Sequence, residues 1–291
     1  MKTEKFLVNE GSKLDLKKHA TDYTADYSDK KKAVEDLQKN VAKIRELQEV
    51  LYAEGAQSLL IVFQAMDAAG KDSTIEHVFS GVNPQGCHVV GFKQPSAEEL
   101  AHDFLWRCQK ELPERGKIGI FNRSHYEEVL VVKVHPEYLG AQRLPTSPDT
   151  DKNFWDRRYE QIRNWEKTLV ANGTQIVKFF LNVSREEQKE RFVARIDEPA
   201  KNWKFSMGDV KERALWADYM KAYTDALTAT STYSAPWYVI PADKKWFMRL
   251  AVSEIIVEKL KAMKPQFPVV SNEHKAELAE AKKALLSEPS A

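Results

Sequence analysis

A continuous apolar run followed at once by a glycine-lysine loop limits the possible folds of this chain more than any other feature. The run is Ser58–Gln64, and it is bounded by Gly55 and Gly70. A strand that is covered on both faces shows such a run, which is typical of a parallel sheet. Helical stretches separate it from further apolar runs at 87–92, 117–121, 175–181 and 237–240. Strands that alternate with helices predict an α/β domain with a parallel sheet flanked by helices.

The loop after this run, Ala65-Met-Asp-Ala-Ala-Gly-Lys-Asp-Ser-Thr74, nearly matches the phosphate-binding pattern GxxxxGK[ST]. In that pattern, backbone N–H groups of the loop and of the following helix point at phosphate oxygens, and the lysine adds a positive charge. The residues that we expect to bind phosphate here are Gly70, Lys71, Asp72 and Ser73.

Two acidic residues make the loop unusual. Asp72 takes the position of the usual hydroxyl residue, and Asp67 lies inside the loop. A carboxylate beside bound phosphates repels them unless a divalent cation lies between the two. We therefore expect Asp67 to hold Mg²⁺, for which Mn²⁺ is a substitute. The alternative is an ordinary helix start, in which both carboxylates only interact with the helix dipole.

A second polar cluster, Phe121-Asn-Arg-Ser-His-Tyr-Glu-Glu128, follows the third apolar run. Ligands of parallel α/β sheets lie outside the carboxyl ends of the strands, so this cluster should face the phosphate loop. Arg123 can bridge phosphoryl oxygens with a planar fork of donors, and Glu127 can complete a metal site. Asn122 can bond water or a phosphate oxygen. The alternative is a capped turn whose polar residues only satisfy one another.

Composition and charge narrow the classes of partner. The 44 Lys+Arg residues against 43 Asp+Glu give a net charge of +1, which argues against a protein that coats nucleic acid. The N-terminus has no apolar signal core, and no run is long enough to span a bilayer. We expect neither a nucleic-acid nor a membrane partner, and a cytoplasmic location.

Three segments are expected along the chain. Residues 1–30 are predicted to form a polar arm, 31–268 a single domain, and 269–291 a tail with a surface helix. Within the domain, the region from about 185 to 213 is predicted to be a helical lid. Its stretch 199–208 is rich in breakers, aromatic and basic residues, as expected of a segment that closes over phosphates and excludes water.

At these motifs the sequence resembles the polyphosphate kinase 2 family, over about residues 51–268. The segments that carry the resemblance are 65–71, 121–127, Lys93-Gln-Pro-Ser-Ala-Glu-Glu-Leu100 with Trp106-Arg107, Trp203-Lys-Phe-Ser-Met-Gly-Asp209, and Ala235-Pro-Trp-Tyr-Val-Ile-Pro-Ala242. The resemblance implies a thymidylate-kinase-like P-loop kinase fold with a helical lid. It also implies reversible, Mg²⁺-dependent phosphoryl transfer from polyphosphate to nucleotides.

Site roles follow from the resemblance at matching positions. Lys71 is assigned to phosphate contact, Asp67 to the metal, and Arg123 to catalysis. Many members have Asp at position 122 and Asn at position 127, whereas this chain has Asn122 and Glu127. That reversed pairing is similar to the class III branch, whose members phosphorylate nucleoside monophosphates and diphosphates. We assign Asn122, Arg123 and Glu127 to nucleotide binding, and Glu127 to the metal as well.

A long polyphosphate also needs cations beyond the loop. The candidates are Lys93, Arg107, Lys133, Arg157, Arg158, Arg191 and Lys204. For most of them the alternative is a solvated surface charge. Arg191 and Lys204 are favoured, because they lie where a lid would touch the transferred group.

The predicted function is therefore a polyphosphate kinase that converts AMP and ADP to ADP and ATP. Adenine nucleotides are the expected acceptors, with guanine nucleotides as a further class, and a homo-oligomer, either a dimer or a tetramer, is expected. Two alternatives stay open: an ATP-dependent nucleoside monophosphate kinase, and an inactive nucleotide-binding regulator.

Overall fold

A central sheet forms the core of the protein, whose computed structural model describes residues 1–145 and 152–288. Within these residues the strands are β1 Leu7–Val8, β2 Ser58–Gln64, β3 Cys87–Gly91, β4 Ile118–Asn122, β5 Thr174–Asn182 and β6 Trp237–Pro241. Their order across the sheet is β1-β6-β5-β2-β4-β3. All neighbouring strands pair in parallel except β1, which is antiparallel to β6. The predicted α/β fold with a parallel sheet is confirmed.

The strand at the centre of the sheet is β2, which is buried along its whole length. It pairs with β4 on one side and with β5 on the other. The five predicted strands are confirmed to within one residue at each end. Continuous apolar sequence was a reliable guide to β2, β4 and β5 because these strands are buried along most of their length, whereas the edge strand β3 is partly exposed.

Helices surround this sheet. Their bounds are α1 Lys30–Glu54, α2 Lys71–Val78, α3 Trp106–Gln109, α4 Val131–Val134, α5 Lys152–Ala171, α6 Arg185–Asp197, α7 Met207–Ala214, α8 Trp216–Thr230, α9 Lys245–Met263 and α10 Asn272–Leu286. Helix α9 packs on β5 and β6 and against α1 and α2, while α5 packs on β5 and against α8. In the described part of the chain no helix is long and apolar enough to cross a membrane.

The sequence predicts a helix from about Lys31 to Glu54, because apolar residues recur there at three- and four-residue steps before Gly55, and α1 confirms it. The Asp29 side chain accepts a hydrogen bond from the Lys31 N–H at the start. Gly55 follows the last turn in the left-handed region (φ 63°), where a residue without Cβ is favoured.

The first thirty residues pack on the domain and add a short strand to its sheet. Leu7–Val8 pairs with the β6 edge, and Phe6 is buried beside it. The Thr3 hydroxyl donates to Glu258 Oε2 at 2.6 Å. A strand of two residues is too short to leave a periodic signal, so sequence patterns could not reveal it.

The sequence holds two capping-box patterns, Ser96-x-x-Glu99 and Ser184-x-x-Glu187, and each predicts the start of a helix. Ser184 caps α6 as predicted, since its hydroxyl accepts from the Glu187 N–H at 3.1 Å. Ser96 and Glu99 exchange both bonds of a complete box, yet they open only a 3-10 helix, Glu99–Ala101. The prediction of a longer helix there is wrong, because a cap starts a helix but the residues after it decide its length.

Candidate active site

The phosphate loop connects the end of β2 to the start of α2. Gly70 has φ 110°, and a Cβ added there would lie 3.0 Å from Met248 Cε, so both conformation and space require glycine. The Lys71 ammonium folds back on the loop and donates to the Ala65 carbonyl at 2.9 Å. Burial lowers the pKa of Lys71, while the nearby Asp67 carboxylate opposes that shift. The loop therefore holds a buried, preformed cation at its centre.

The residues that follow Lys71 bind the loop and the neighbouring strand. The hydroxyls of Ser73 and Thr74 both donate to the Gly70 carbonyl, at 3.2 and 2.9 Å. The Asp72 carboxylate accepts from the Asn122 amide at 2.5 Å. Asp72 and Asn122 thus link the start of α2 to the end of β4. This contact was not expected, since Asp72 was predicted to bind phosphate and Asn122 to bind the nucleotide.

The second polar cluster faces the loop, as its place after β4 predicted. Arg123 Nη2 donates to Asp67 Oδ1 at 2.9 Å, and its backbone N–H donates to the Phe63 carbonyl at 3.0 Å. Arg123 itself has φ 65°. A non-glycine residue in the left-handed region is strained, and such strain is concentrated at functional sites. The backbone is thereby forced into the one conformation that turns this guanidinium toward the loop.

Glu127 belongs to the same charge cluster. Desolvation raises the pKa of the Glu127 carboxyl, and the charges of Arg123 and Lys71 partly offset that rise. For the Arg123 guanidinium, burial lowers the pKa, but Glu127 and Asp67 outweigh it and the net shift is upward. The two acids and two bases are therefore close enough to perturb one another. They lie around one cleft.

The pair Asp67 and Glu127 fits the ligand needs of Mg²⁺. Within the described residues no group of three or more His, Cys, Asp or Glu side chains could hold a metal ion. Mg²⁺ is commonly held by one or two carboxylates, together with waters and substrate phosphates. Two carboxylates beside a phosphate loop therefore suit Mg²⁺ better than they suit a metal that needs an all-protein cage.

A cleft of about 470 Å³ opens beside the loop. Its floor includes Asp67, Arg123 and Glu127. One wall comes from residues 93–107, which follow β3, and from residues 131–142. The other wall comes from α7 and α8. The wall residues that matter below are Lys93, Arg107, Tyr138, Asp209, Glu212 and Tyr223. A cleft of this size is in the range for small-molecule ligands.

The lid predicted for about 185–213 consists of α6, a 3-10 helix Pro199–Lys204 and α7. Arg195 lies 3.6 Å from Asp209, which joins the two lid helices. The His135 imidazole, just after α4, contacts Glu212 of α7 at 2.9 Å. The Tyr219 hydroxyl of α8 donates to the same carboxylate at 2.5 Å.

Arg191 differs from its predicted role as a phosphate ligand. Its Nη1 donates to the carbonyls of Ala68 (3.1 Å) and Ala69 (2.6 Å), and its Nη2 donates to that of Ala242 (2.6 Å) and, at 3.2 Å, to that of Asp243. Its Nε donates to Glu187 at 2.8 Å. All five N–H donors are used within the protein. Arg191 therefore fixes the carbonyls of the phosphate loop and has no donor left for a phosphate oxygen.

Three of the other predicted polyphosphate ligands are also committed to the protein. Lys133 donates to Asp225 and to the Tyr159 hydroxyl, each at 2.8 Å. Arg107 donates to the Lys93 carbonyl at 2.7 Å. Arg158 lies 3.4 Å from Glu128. Each of the three thus interacts within the protein, and its predicted contact with polyphosphate stays a prediction.

The remaining candidates are exposed. Lys93 lines the cleft, Lys204 lies over the Trp203 ring at 4.9 Å, and Arg157 points outward from α5. Their predicted contacts with polyphosphate stay predictions.

Sequence reasoning missed a buried polar network beneath the site. Lys178 on β5 is 0% exposed and donates to Glu166 at 2.6 Å, to the Tyr126 hydroxyl at 2.8 Å and to the Thr230 carbonyl at 2.9 Å. Tyr126 precedes Glu127, so this network supports the turn that carries the site. A single lysine inside the apolar run 175–181 was the signal that could have revealed it.

Comparisons with known proteins agree with this geometry. The family model for polyphosphate kinase 2 (PPK2) matches residues 27–268. The ADP-polyphosphate phosphotransferase of Rhodopseudomonas palustris is 51% identical over 98% of this chain and 99% of its own length. The AMP/ADP-polyphosphate phosphotransferase of Meiothermus ruber is 45% identical over 91% of this chain and 95% of its own.

A solved structure extends the agreement to three dimensions. The crystal structure of polyphosphate kinase 2 from Arthrobacter aurescens TC1 superposes with a TM-score of 0.87 at 40% identity, over 96% of each chain. The expected P-loop kinase fold is confirmed. This chain belongs to the polyphosphate kinase 2 family.

Proposed function

We propose that this chain transfers the terminal phosphoryl group of inorganic polyphosphate, reversibly, to nucleoside mono- and diphosphates, with AMP and ADP as acceptors. The observation that carries the proposal is the charge cluster of Asp67, Lys71, Arg123 and Glu127 at the phosphate loop, of which all but Lys71 line the cleft. The activities named for the similar proteins support the choice of polyphosphate as donor and of AMP and ADP as acceptors.

The charges of the site match the needs of phosphoryl transfer. Negative charge is spread over the non-bridging oxygens, so catalysis depends on positioning and cations rather than on a covalent nucleophile. Lys71 and the N–H groups that open α2 would bind the phosphates of the chain end. The Arg123 guanidinium would hold the transferred group in a planar fork. Mg²⁺ bound at Asp67 and Glu127 would supply further positive charge to the phosphoryl oxygens.

The pairing of Asp67 with Arg123 gives each residue a second task. The carboxylate fixes the orientation of the guanidinium at 2.9 Å, so that the fork is in place before substrate binds. Preorganised donors of this kind cost little reorganisation during the reaction.

The acceptor would occupy the cleft between the β3–α3 segment and the lid. Closure of α7 over that cleft would exclude water, which otherwise hydrolyses the phosphoryl donor. Asn122 and Glu127 are the residues that we associate with use of both AMP and ADP. Guanine nucleotides are a further acceptor class, since one similar protein is a GDP-polyphosphate phosphotransferase.

The deciding experiment supplies AMP, long-chain polyphosphate and Mg²⁺ to the purified protein without ATP. We expect ADP to form first and ATP to follow, because one cleft handles both acceptors. A matched Lys71→Met variant should form neither, since it loses the cation of the loop. Product only when ATP is added would support the alternative of an ATP-dependent nucleoside monophosphate kinase. No product under either condition would favour the inactive regulator and overturn the proposal.

A further inference from the structure

Two cations beside the phosphate loop have no partner in the part of the chain that the structure describes. Lys245 and Arg249 lie one turn apart at the start of α9. Neither forms a salt bridge or a hydrogen bond with a described residue, and the Arg249 Nε is buried without a partner. Both side chains therefore carry a positive charge that no described residue pairs with directly, and such a pair of cations suits an external anion.

These cations adjoin the loop itself. Met248, which lies between them in sequence, fills the space over Gly70: its Cε would lie 3.0 Å from a Cβ added there. Arg191, whose guanidinium holds the loop carbonyls, is close enough to both cations to lower their pKa values. The first turns of α9 therefore form a basic surface next to the phosphate loop, which we call the α9 basic surface (Lys245 and Arg249).

The neighbouring carboxylates do not neutralise this surface. Glu187 is bonded to Arg191 at 2.8 Å, and Glu198 is paired with Lys201. Desolvation lowers the pKa of Lys245, and Arg191 lowers it further against the opposing charge of Glu187. Desolvation likewise lowers the pKa of Arg249, which Glu76 opposes without a hydrogen bond. The local balance favours a bound anion.

The two cations do not belong to the acceptor cleft. Neither Lys245 nor Arg249 lines that cleft, whose walls come from the β3–α3 segment and from α7 and α8. An anion on the α9 basic surface would instead continue outward from the phosphate loop. Of the two substrates, only the polymer is long enough to fill the loop and extend past it.

We propose that the α9 basic surface binds the distal phosphates of the polyphosphate donor, the part of the polymer that does not react. This inference rests on the proposed function and specifies its donor side. It adds to the predicted track, in which Arg107, Lys133 and Arg158 also bond groups within the protein. Polyphosphate has no base or sugar to be recognised by shape. Two separate cations that offer only charge therefore suit its repeating phosphates.

The experiment compares a long polyphosphate with tripolyphosphate as donors for the double variant Lys245→Gln/Arg249→Gln. We expect the KM for the long donor to rise about ten-fold, which corresponds to losing one or two charge-assisted contacts. The KM for tripolyphosphate, the KM for AMP and kcat should stay unchanged. Lys261→Gln, an exposed lysine near the other end of α9, is the matched control and should leave all four values unchanged.

A binding measurement tests the α9 basic surface without relying on catalytic turnover. Labelled long-chain polyphosphate should bind the double variant about ten-fold more weakly than the unaltered protein, without nucleotide present. The single variant Lys245→Gln changes only an exposed side chain, and it should show part of the effect without a risk to folding. An equal loss for both donors, or no loss for the long donor, would overturn the proposal. Absence of any polyphosphate-dependent transfer by the unaltered protein would overturn the proposed function instead.

Discussion

At the residue scale, the site depends on carboxylates that share charge with the phosphate-binding cations. Asp67 bonds Arg123 and lies close enough to Lys71 to oppose the lowering of the Lys71 pKa by burial. Replacing Asp67 by Asn keeps the shape of the side chain and removes its charge. We expect kcat to fall about 100-fold or more, the usual effect of removing a central electrostatic group. Steady-state kinetics at several Mg²⁺ concentrations measures it.

The control for this change is Asp218→Asn, which removes a carboxylate from an exposed position on α8. It should leave kcat unchanged. Circular dichroism should show that both variants are folded. Full turnover in Asp67→Asn would contradict a metal role for this residue and would leave it only the task of orienting Arg123.

A site residue could be predicted from sequence when its partners lie close to it along the chain. Asp67 and Lys71 belong to a local loop pattern, and Arg123 and Glu127 belong to a second one, so short stretches of sequence were enough. Arg191 was wrongly expected to contact phosphate, because the carbonyls that occupy it lie 51 and 122 positions away. No local pattern contains that information.

At the element scale, one ionic contact joins Glu212 of the lid helix α7 to His135. The His135 imidazole lies 2.9 Å from Glu212 and 3.2 Å from Glu137. Partial burial lowers the pKa of His135, but the bonds and charges of Glu212 and Glu137 outweigh it, and the net shift is upward. A raised pKa in the closed form means that closure gains stability from protonated His135 at low pH and loses it as pH rises through that pKa.

Hydrogen exchange of residues 207–214 should therefore show the lid opening a few-fold more often at about pH 9 than at about pH 6, after correction for intrinsic exchange rates. His135→Gln should abolish this dependence and leave the lid at the high-pH level throughout. Exchange in α9, which lies outside the lid, serves as the internal control. Equal pH dependence in His135→Gln would assign the effect to another group.

Elements were predictable where the chain offered a long, uniform signal. The buried strands and α1 were found to within one residue, because burial on both faces, or along one helix face, leaves a sustained pattern. Strand β1 was missed, and the length of the 3-10 helix after Ser96 was overestimated. Two or three residues are too few to show a periodic pattern. Placement of the lid against His135 was equally invisible, since it depends on contacts 77 positions apart.

At the scale of the whole molecule, the parallel pairing of β2 with β4 assembles the site. Phe63 pairs with Asn122, so the phosphate loop and the Arg123 turn leave the sheet at the same edge. This placement follows from topology and was predictable once a parallel sheet was recognised. The internal support of that edge was not predictable, because it comes from charged side chains within the core.

That support makes a prediction for the stability of the entire fold. Lys178 and Glu166 are both buried, and their ion pair at 2.6 Å joins β5 to α5. Lys178→Met leaves the Glu166 charge without its main partner, and we expect it to lower the free energy of unfolding by about 3–5 kcal/mol. Urea denaturation measures that loss.

The double variant Lys178→Met/Glu166→Gln distinguishes a buried charge penalty from a simple packing defect. Without the unpaired carboxylate, the double variant should be more stable than Lys178→Met alone, although it carries one more substitution. Gln can still accept from the Tyr126 hydroxyl, which now bonds Glu166 at 2.8 Å, so the turn before Glu127 keeps its anchor. If the double variant were instead less stable by the sum of two independent losses, the ion pair would not be the source of the stability, and packing around Lys178 would be.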